Sequence, residues 1–222
     1  MFDFNYLMYV IILPLVIGLA VNANVKHKLK KYSQVPMKGG FTGAQAASQM
    51  LAYYNITGVR VQPGASGQNF FDPRSNSITL EPEVFNGSSV TAAATACHEC
   101  GHAHQFAQNY LPMKVRTALV PAVNLASNAW MFVFLAGLML QMAGLVNVAI
   151  VLYLVVILFA LVTLPVEFNA SRRAMAYMGS IGLPDAERKG SFSVLSACAL
   201  TYVAAALISL LNLLWLLSQR HD

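Results

Sequence analysis

The stretch "TACHECGHAHQ", Thr95 to Gln105, holds three of the chain's five histidines and two of its three cysteines. His98 and His102 are four residues apart, so on an α-helix they stand one above the other on a single face. Two imidazoles so placed can chelate one zinc ion. The helix holds them rigidly and leaves room for a water and a third ligand, the open arrangement that catalytic zinc needs. Glu99 lies about 100° round the helix from His98, where its carboxylate can reach a water at the metal without displacing it. A chance H-E-x-x-H in a chain with five His and five Glu is expected roughly once in four hundred such sequences. The motif therefore outweighs the alternative of two interfacial histidines beside a surface glutamate.

Cys97, Cys100 and His104 lie at about 260°, 200° and 240° when His98 is set to zero, on the opposite face of the same helix. They cannot join the His98/His102 pair. A second zinc site of the form Cys-x-x-Cys-x-x-x-His would want a fourth ligand, and the one remaining cysteine, Cys198, sits in an apolar run. Haem attachment requires Cys-x-x-Cys-His, whereas Gly101 follows Cys100 here. Small apolar cysteines packed behind the helix are the expectation.

Two histidines need a third protein ligand, and the chain has nine acidic residues from which to choose. Glu167 interrupts a long apolar run in "LPVEFNASRRA". A carboxylate at the edge of a bilayer is costly unless it has a function or a partner. Glu167 is thus a candidate ligand, the alternative being an interfacial ion pair with Arg172 or Arg173. Pro165 just before it suits the first turn of a new helix starting at Val166 or Glu167.

The elements that must position these residues follow from the charge pattern. The 222 residues are 57% hydrophobic and only 10% charged, against about 25% charged in a soluble domain. No Asp, Glu, Lys or Arg occurs between Asp3 and Lys26, between Arg116 and Glu167, or between Lys189 and Arg220. With about 20 apolar residues per span, these gaps hold one, two and one spans: about Phe4–Val25, a hairpin broken near Ala143–Asn147, and about Val194–Leu217. The basic cluster "KHKLKK" follows the first apolar run rather than leading it, which reads as an uncleaved anchor and not a signal peptide. Every Lys and Arg except Arg220 then falls on one side of the membrane, and positive loops stay cytoplasmic. The net charge of +5 is accordingly a topology signal and implies no nucleic-acid partner. The sequons at Asn55 and Asn86 would face the cytoplasm, and no disulfide framework is expected there.

The expected organisation is a mainly α integral membrane protein with four transmembrane helices and a small α+β zincin-like domain at the cytoplasmic face. Residues 1–25 form the anchor, 26–117 the cytoplasmic metalloprotease domain, 118–166 the transmembrane hairpin, 167–190 a cytoplasmic helix carrying Glu167, and 191–222 the last span and a short tail. Within 26–117, "TGAQAASQMLAYYNITG" predicts a helix ended by Gly58, "VRVQP" a strand, and "NFFDPRSNSITL" two strands around a turn at 72–76. The Asn86–Ser89 stretch caps the alanine-rich zinc helix.

"HECGHAHQ" together with "LPVEFNASRRA" resembles the YugP-like membrane zinc metallopeptidases over most of the chain, including "FFDPRSNSITL". The resemblance implies a gluzincin-type endopeptidase binding one zinc ion through His98, His102 and Glu167, with Glu99 as catalytic acid/base. HtpX-type and CAAX-prenyl membrane proteases look more distantly similar through a downstream Glu-x-x-Ala-Asp. Here Ser171 stands where that aspartate would, so the carboxylate expected to orient a ligand histidine is missing. Ser171 lies on the same helix face as Glu167 and can take part of that role. Asn169, Arg173 and Tyr177 are candidates for stabilising an oxyanion by their nearness to Glu167, and strand 77–80 for an edge that receives an extended substrate.

The expected partners are membrane proteins or membrane-presented peptides as substrates, at the surface of the lipid bilayer of a bacterial plasma membrane, with the oligomeric state unassigned. A metal transporter would carry polar ligands within its spans, which hold no charge and no histidine. A non-catalytic metal-binding scaffold or adaptor would have no use for Glu99. Replacing both Cys97 and Cys100 by Ala should leave zinc content unchanged when the purified protein is assayed by metal analysis. Loss of metal from that variant would show the back face to be a ligand set.

Overall fold

A computed structural model describes residues 7–218, and they are overwhelmingly helical. In chain order they form α1 (Leu7–Ser33), α2 (Gly43–Tyr53), β1 (Arg60–Pro63), β2 (Phe70–Asp72), β3 (Ser77–Leu80), a single turn α3 (Pro82–Phe85), α4 (Val90–Ala107), α5 (Leu111–Met139), α6 (Ala143–Ser180) and α7 (Asp185–Ser218). Helices α1, α5, α6 and α7 are each long and apolar enough to cross a membrane, as the charge gaps imply.

The chain divides into two compact units. The first takes 7–22, 114–165 and 201–218 of the described residues. Its interior gathers Phe134, Ala149, Ile150, Tyr153, Trp215 and Leu216, with Trp130 tilted on Tyr153 at a ring separation of 4.6 Å and Phe134 edge-on to Trp215 at 5.3 Å. Outside this seam the helices present Leu, Val, Phe and Met to their surroundings, for example Leu125, Phe132, Val151 and Leu161, as expected of surfaces solvated by lipid.

The second unit takes Ala23–Met113 and Val166–Leu200 and holds the motif. Its centre is α4, capped by Ser89, whose side chain accepts from the Ala92 backbone N–H. The alanines and cysteines of α4 pack against α2, where Ala47, Met50 and Leu51 are buried. Thr42 and Gln45 close a reciprocal capping box at the start of α2, which satisfies two otherwise orphaned backbone donors. Thr91 donates to the Leu29 carbonyl and so ties α4 to the end of α1. The three strands form one sheet in the order β1-β3-β2, β1 parallel and β2 antiparallel to β3.

Several expectations are corrected. The first helix does not stop at Val25 but continues through "KHKLKK" to Ser33, since lysines are good helix formers and Leu29 and Tyr32 pack on the core. The hairpin break falls at 140–142 instead of 143–147. Gln141 takes the left-handed conformation at φ 54° and the Met142 N–H caps the Gly137 carbonyl. Gly144 and Asn147 are then inside α6. Pro165 starts no new helix and lies within the unbroken α6. One absent N–H costs about 3 kcal/mol in a helix interior, which the packing of buried Val166, Ala170, Ala174 and Met178 offsets. Helix α2 ends at Tyr53, with Asn55 at φ 55°, while Gly58 serves the turn before β1. Finally, β3 is the central, fully buried strand, so both its edges are occupied and it offers none to a substrate.

One close approach fixes the site. A Cβ on Gly101 of α4 would stand 2.5–2.9 Å from the backbone of Ala170 on α6. The two helices touch backbone to backbone there, one turn of α6 from Glu167. Gly101→Ala, which elsewhere would stabilise a helix by about 1 kcal/mol, should here cost about 1–3 kcal/mol through overpacking and weaken zinc binding as well. Denaturant unfolding and metal analysis of the variant check both effects.

Candidate metal centre

The α4–α6 contact brings together His98, His102 and Glu167, whose potential ligand atoms all lie within 4.8 Å of one another. Glu167 is only 2% exposed. Its Oε2 lies 3.1 Å from His98 Nε2 and 3.5 Å from His102 Nε2. Two ligand atoms at the usual 2.0–2.1 Å from a tetrahedral zinc stand about 3.3 Å apart, so these spacings bracket the value that one shared ion requires. The imidazoles are nearly perpendicular, with centroids 4.7 Å apart, and both turn their Nε2 towards the carboxylate.

The hydrogen-bond partners decide which ring nitrogen of His102 carries its proton. Gln105 is fully buried and its amide contacts the Val166 carbonyl at 2.7 Å and Asn169 Oδ1 at 3.0 Å. A backbone carbonyl only accepts, so the atom facing it is the amide nitrogen. The Asn169 oxygen is fixed in turn by the Arg173 Nε–H, which donates to it at 2.7 Å. The Gln105 oxygen must then face His102 Nδ1, 3.0 Å away, and that nitrogen must donate. The Nε2 then faces an anionic oxygen, an arrangement that a proton on that nitrogen or a cation between the two atoms satisfies. Burial pushes the His102 pKa down, but the hydrogen bond to Glu167 and the nearby Glu99 carboxylate outweigh it and raise the pKa. The cluster thus favours positive charge at its centre, and two imidazoles with one carboxylate suit zinc.

Around this core, His98 Nδ1 pairs with Ser171 Oγ at 3.1 Å, the position at which the distantly similar proteases carry aspartate. Glu99 is 7% exposed and acts electrostatically on His102. Cys198 on α7 stands near enough to Glu99 and Glu167 to feel both carboxylates. The remaining candidates part ways. Asn169 and Arg173 are tied into the Gln105 chain, Arg173 also donating to Gln108 Oε1 at 2.7 Å and lying over the Tyr110 ring. Tyr177 is buried in the core beside Tyr53, with rings 5.4 Å apart, and stands with Cys97 on the far side of α4.

The back face is a packing surface. Cys97 and Cys100 are fully buried, and the Cys100 thiol donates to the Ala47 carbonyl. Burial pushes the Cys97 thiol up to about 12 and the Cys100 thiol well above its ordinary value. His104 stacks on Tyr54 at 4.0 Å, and burial, helped by the Arg173 charge, pushes it down to about 4, so it is neutral at pH 7. Sequence reasoning missed Gln105. The signal was its place three residues after His102, a spacing at which helical side chains meet.

From residue 7 to residue 221 the chain matches the family described as "Putative neutral zinc metallopeptidase". It is 40% identical over 192 residues to "Putative membrane protease YugP" of Bacillus subtilis (strain 168), an alignment spanning 86% of this chain and 85% of that protein. No solved structure matches it. By a match along almost its whole length, the chain belongs to the neutral zinc metallopeptidase family.

Proposed function

We propose that the protein is a membrane-embedded zinc endopeptidase of the gluzincin type, with one catalytic ion held by His98, His102 and Glu167. The observation that carries this reading is the convergence of His98 Nε2 and His102 Nε2 on the same Glu167 oxygen, with the His102 ring held by Gln105. Zinc bound there would supply Lewis acidity, polarising a scissile carbonyl and acidifying a water. The chain does the rest. Glu99, next to His98 and excluded from the ligand set by its helical angle, takes the proton of the attacking water. It then delivers that proton to the departing amine. Ser171 and Gln105 hold the two imidazoles in orientation. An extended substrate would lie along the outer edge of β2, which pairs with no described strand on that side. Strand β2 approaches α4 through Phe71, whose ring is 5.8 Å from that of Phe106.

The substrates are membrane proteins or peptides presented at the bilayer, and the site faces the cytoplasm of a bacterial plasma membrane. The placement of Lys and Arg supports that orientation, and the position of Glu167 at the end of the longest charge-free run supports a site at the bilayer edge.

Glu99→Gln should leave zinc stoichiometry intact while peptide hydrolysis falls by roughly 10²–10⁴-fold, measured on purified protein with a peptide library; unchanged turnover removes Glu99 from the mechanism. Glu167→Ala should weaken zinc binding by more than the roughly 10–100-fold typical of losing an outer partner, read by chelator competition. Retention of wild-type affinity would exclude Glu167 as a ligand.

A further inference from the structure

Gln105 does more than fill space in the core. It reaches three partners on two helices: His102 Nδ1 on its own helix, and the Val166 carbonyl and Asn169 Oδ1 on α6. Val166 immediately precedes Glu167, so the bond to its carbonyl sets the position of the ligand-bearing residue directly. Asn169 passes the tie on to Arg173, which returns to Gln108, the residue that caps the end of α4. With both amide hydrogens and the amide oxygen engaged and no solvent exposure, Gln105 has one orientation available to it.

We propose that Gln105 is the positioning residue of the metal centre, fixing His102 with the proton on Nδ1 and holding Glu167 in register with it. A single neutral side chain thereby sets two of the three ligands. A carboxylate in its place could accept from His102 but would meet the Val166 and Asn169 oxygens without a hydrogen to give. An apolar side chain of equal size could do neither.

The inference rests on the zinc reading above, and the experiment separates the two. Zinc affinity by chelator competition is measured on the full-length protein in detergent, for wild type, Gln105→Met, Gln105→Glu and Ser171→Ala. The zinc-loaded proteins are also labelled with ¹⁵N-histidine, so that solvent exchange of the Nδ1–H of each ligand histidine is followed by NMR. Gln105→Met, nearly isosteric, should raise the zinc Kd by roughly 10–100-fold and speed exchange at His102 while leaving His98 as it was. Ser171→Ala should do the reverse, affecting His98 alone. Gln105→Glu should restore slow exchange at His102 without restoring affinity, because the tie to Val166 is still broken.

A general loss of packing would disturb both histidines equally. That pattern, or a Gln105→Met protein with affinity within about threefold of wild type, overturns the proposal. If Gln105→Met fails to fold, the Gln105→Glu arm decides: full wild-type affinity there overturns it, and protected His102 with weakened zinc supports it. If wild type itself binds no zinc, the proposed function fails first.

Discussion

The site depends on two helices meeting without side chains between them. Helix α4 carries His98 and His102 and α6 carries Glu167, and atoms that are to share a zinc must come within about 3.3 Å of each other. Ordinary helix pairs keep their axes 8–10 Å apart, and the Gly101–Ala170 approach puts this pair in backbone contact. A short carboxylate can then span the gap to both imidazoles. Small residues pack closely for the same reason inside membrane helix bundles, and here Gly101 is the residue that permits the approach.

The polar groups complete what that contact begins. Burying Glu167 would be unfavourable if it were left unpaired, and here it faces two imidazoles whose outer nitrogens are both occupied. The chain Gln105–Asn169–Arg173–Gln108 runs across the interface and back. Each member fixes the orientation of the next, because a guanidinium only donates and a carbonyl only accepts. Networks of this kind are favourable only when every member is satisfied, and this one is continuous from the imidazole to the end of α4.

Much of this was legible in the residues. His98, Glu99 and His102 declare their geometry by spacing alone, and the opposite-facing cysteines follow from the same helical angle. The charge gaps yield four helices of spanning length because bilayer thickness sets a minimum run. Glu167 was conspicuous as a carboxylate ending an apolar stretch, but its pairing with the histidines needed either a resemblance or coordinates. What escaped the sequence depends on tertiary packing. Pro165 carries a strong local preference for a helix start, and the buried face of α6 overrides it. The stretch 143–147 looked like the hairpin break, yet the break comes earlier and Gln141 takes the left-handed conformation. The strand at 77–80 reads the same whether central or at an edge, since its pairing partners lie 15 or more residues away in part. Gln105 resembled any polar residue near a helix end until its three partners were known.

The cysteines behind the motif carry one more consequence. Thiolates are softer donors than imidazole and compete strongly for zinc and for copper. In an unfolded chain Cys97 and Cys100 would stand beside the histidines as rival donors, and a wrong ion or a wrong ligand set could be trapped. Docking of α2 withdraws both sulfurs and raises their pKa values, which leaves an oxygen-and-nitrogen cradle as the accessible choice. In the folded helix the two faces are thereby chemically separate: sulfur is sealed against α2, and nitrogen and oxygen are what the motif face offers.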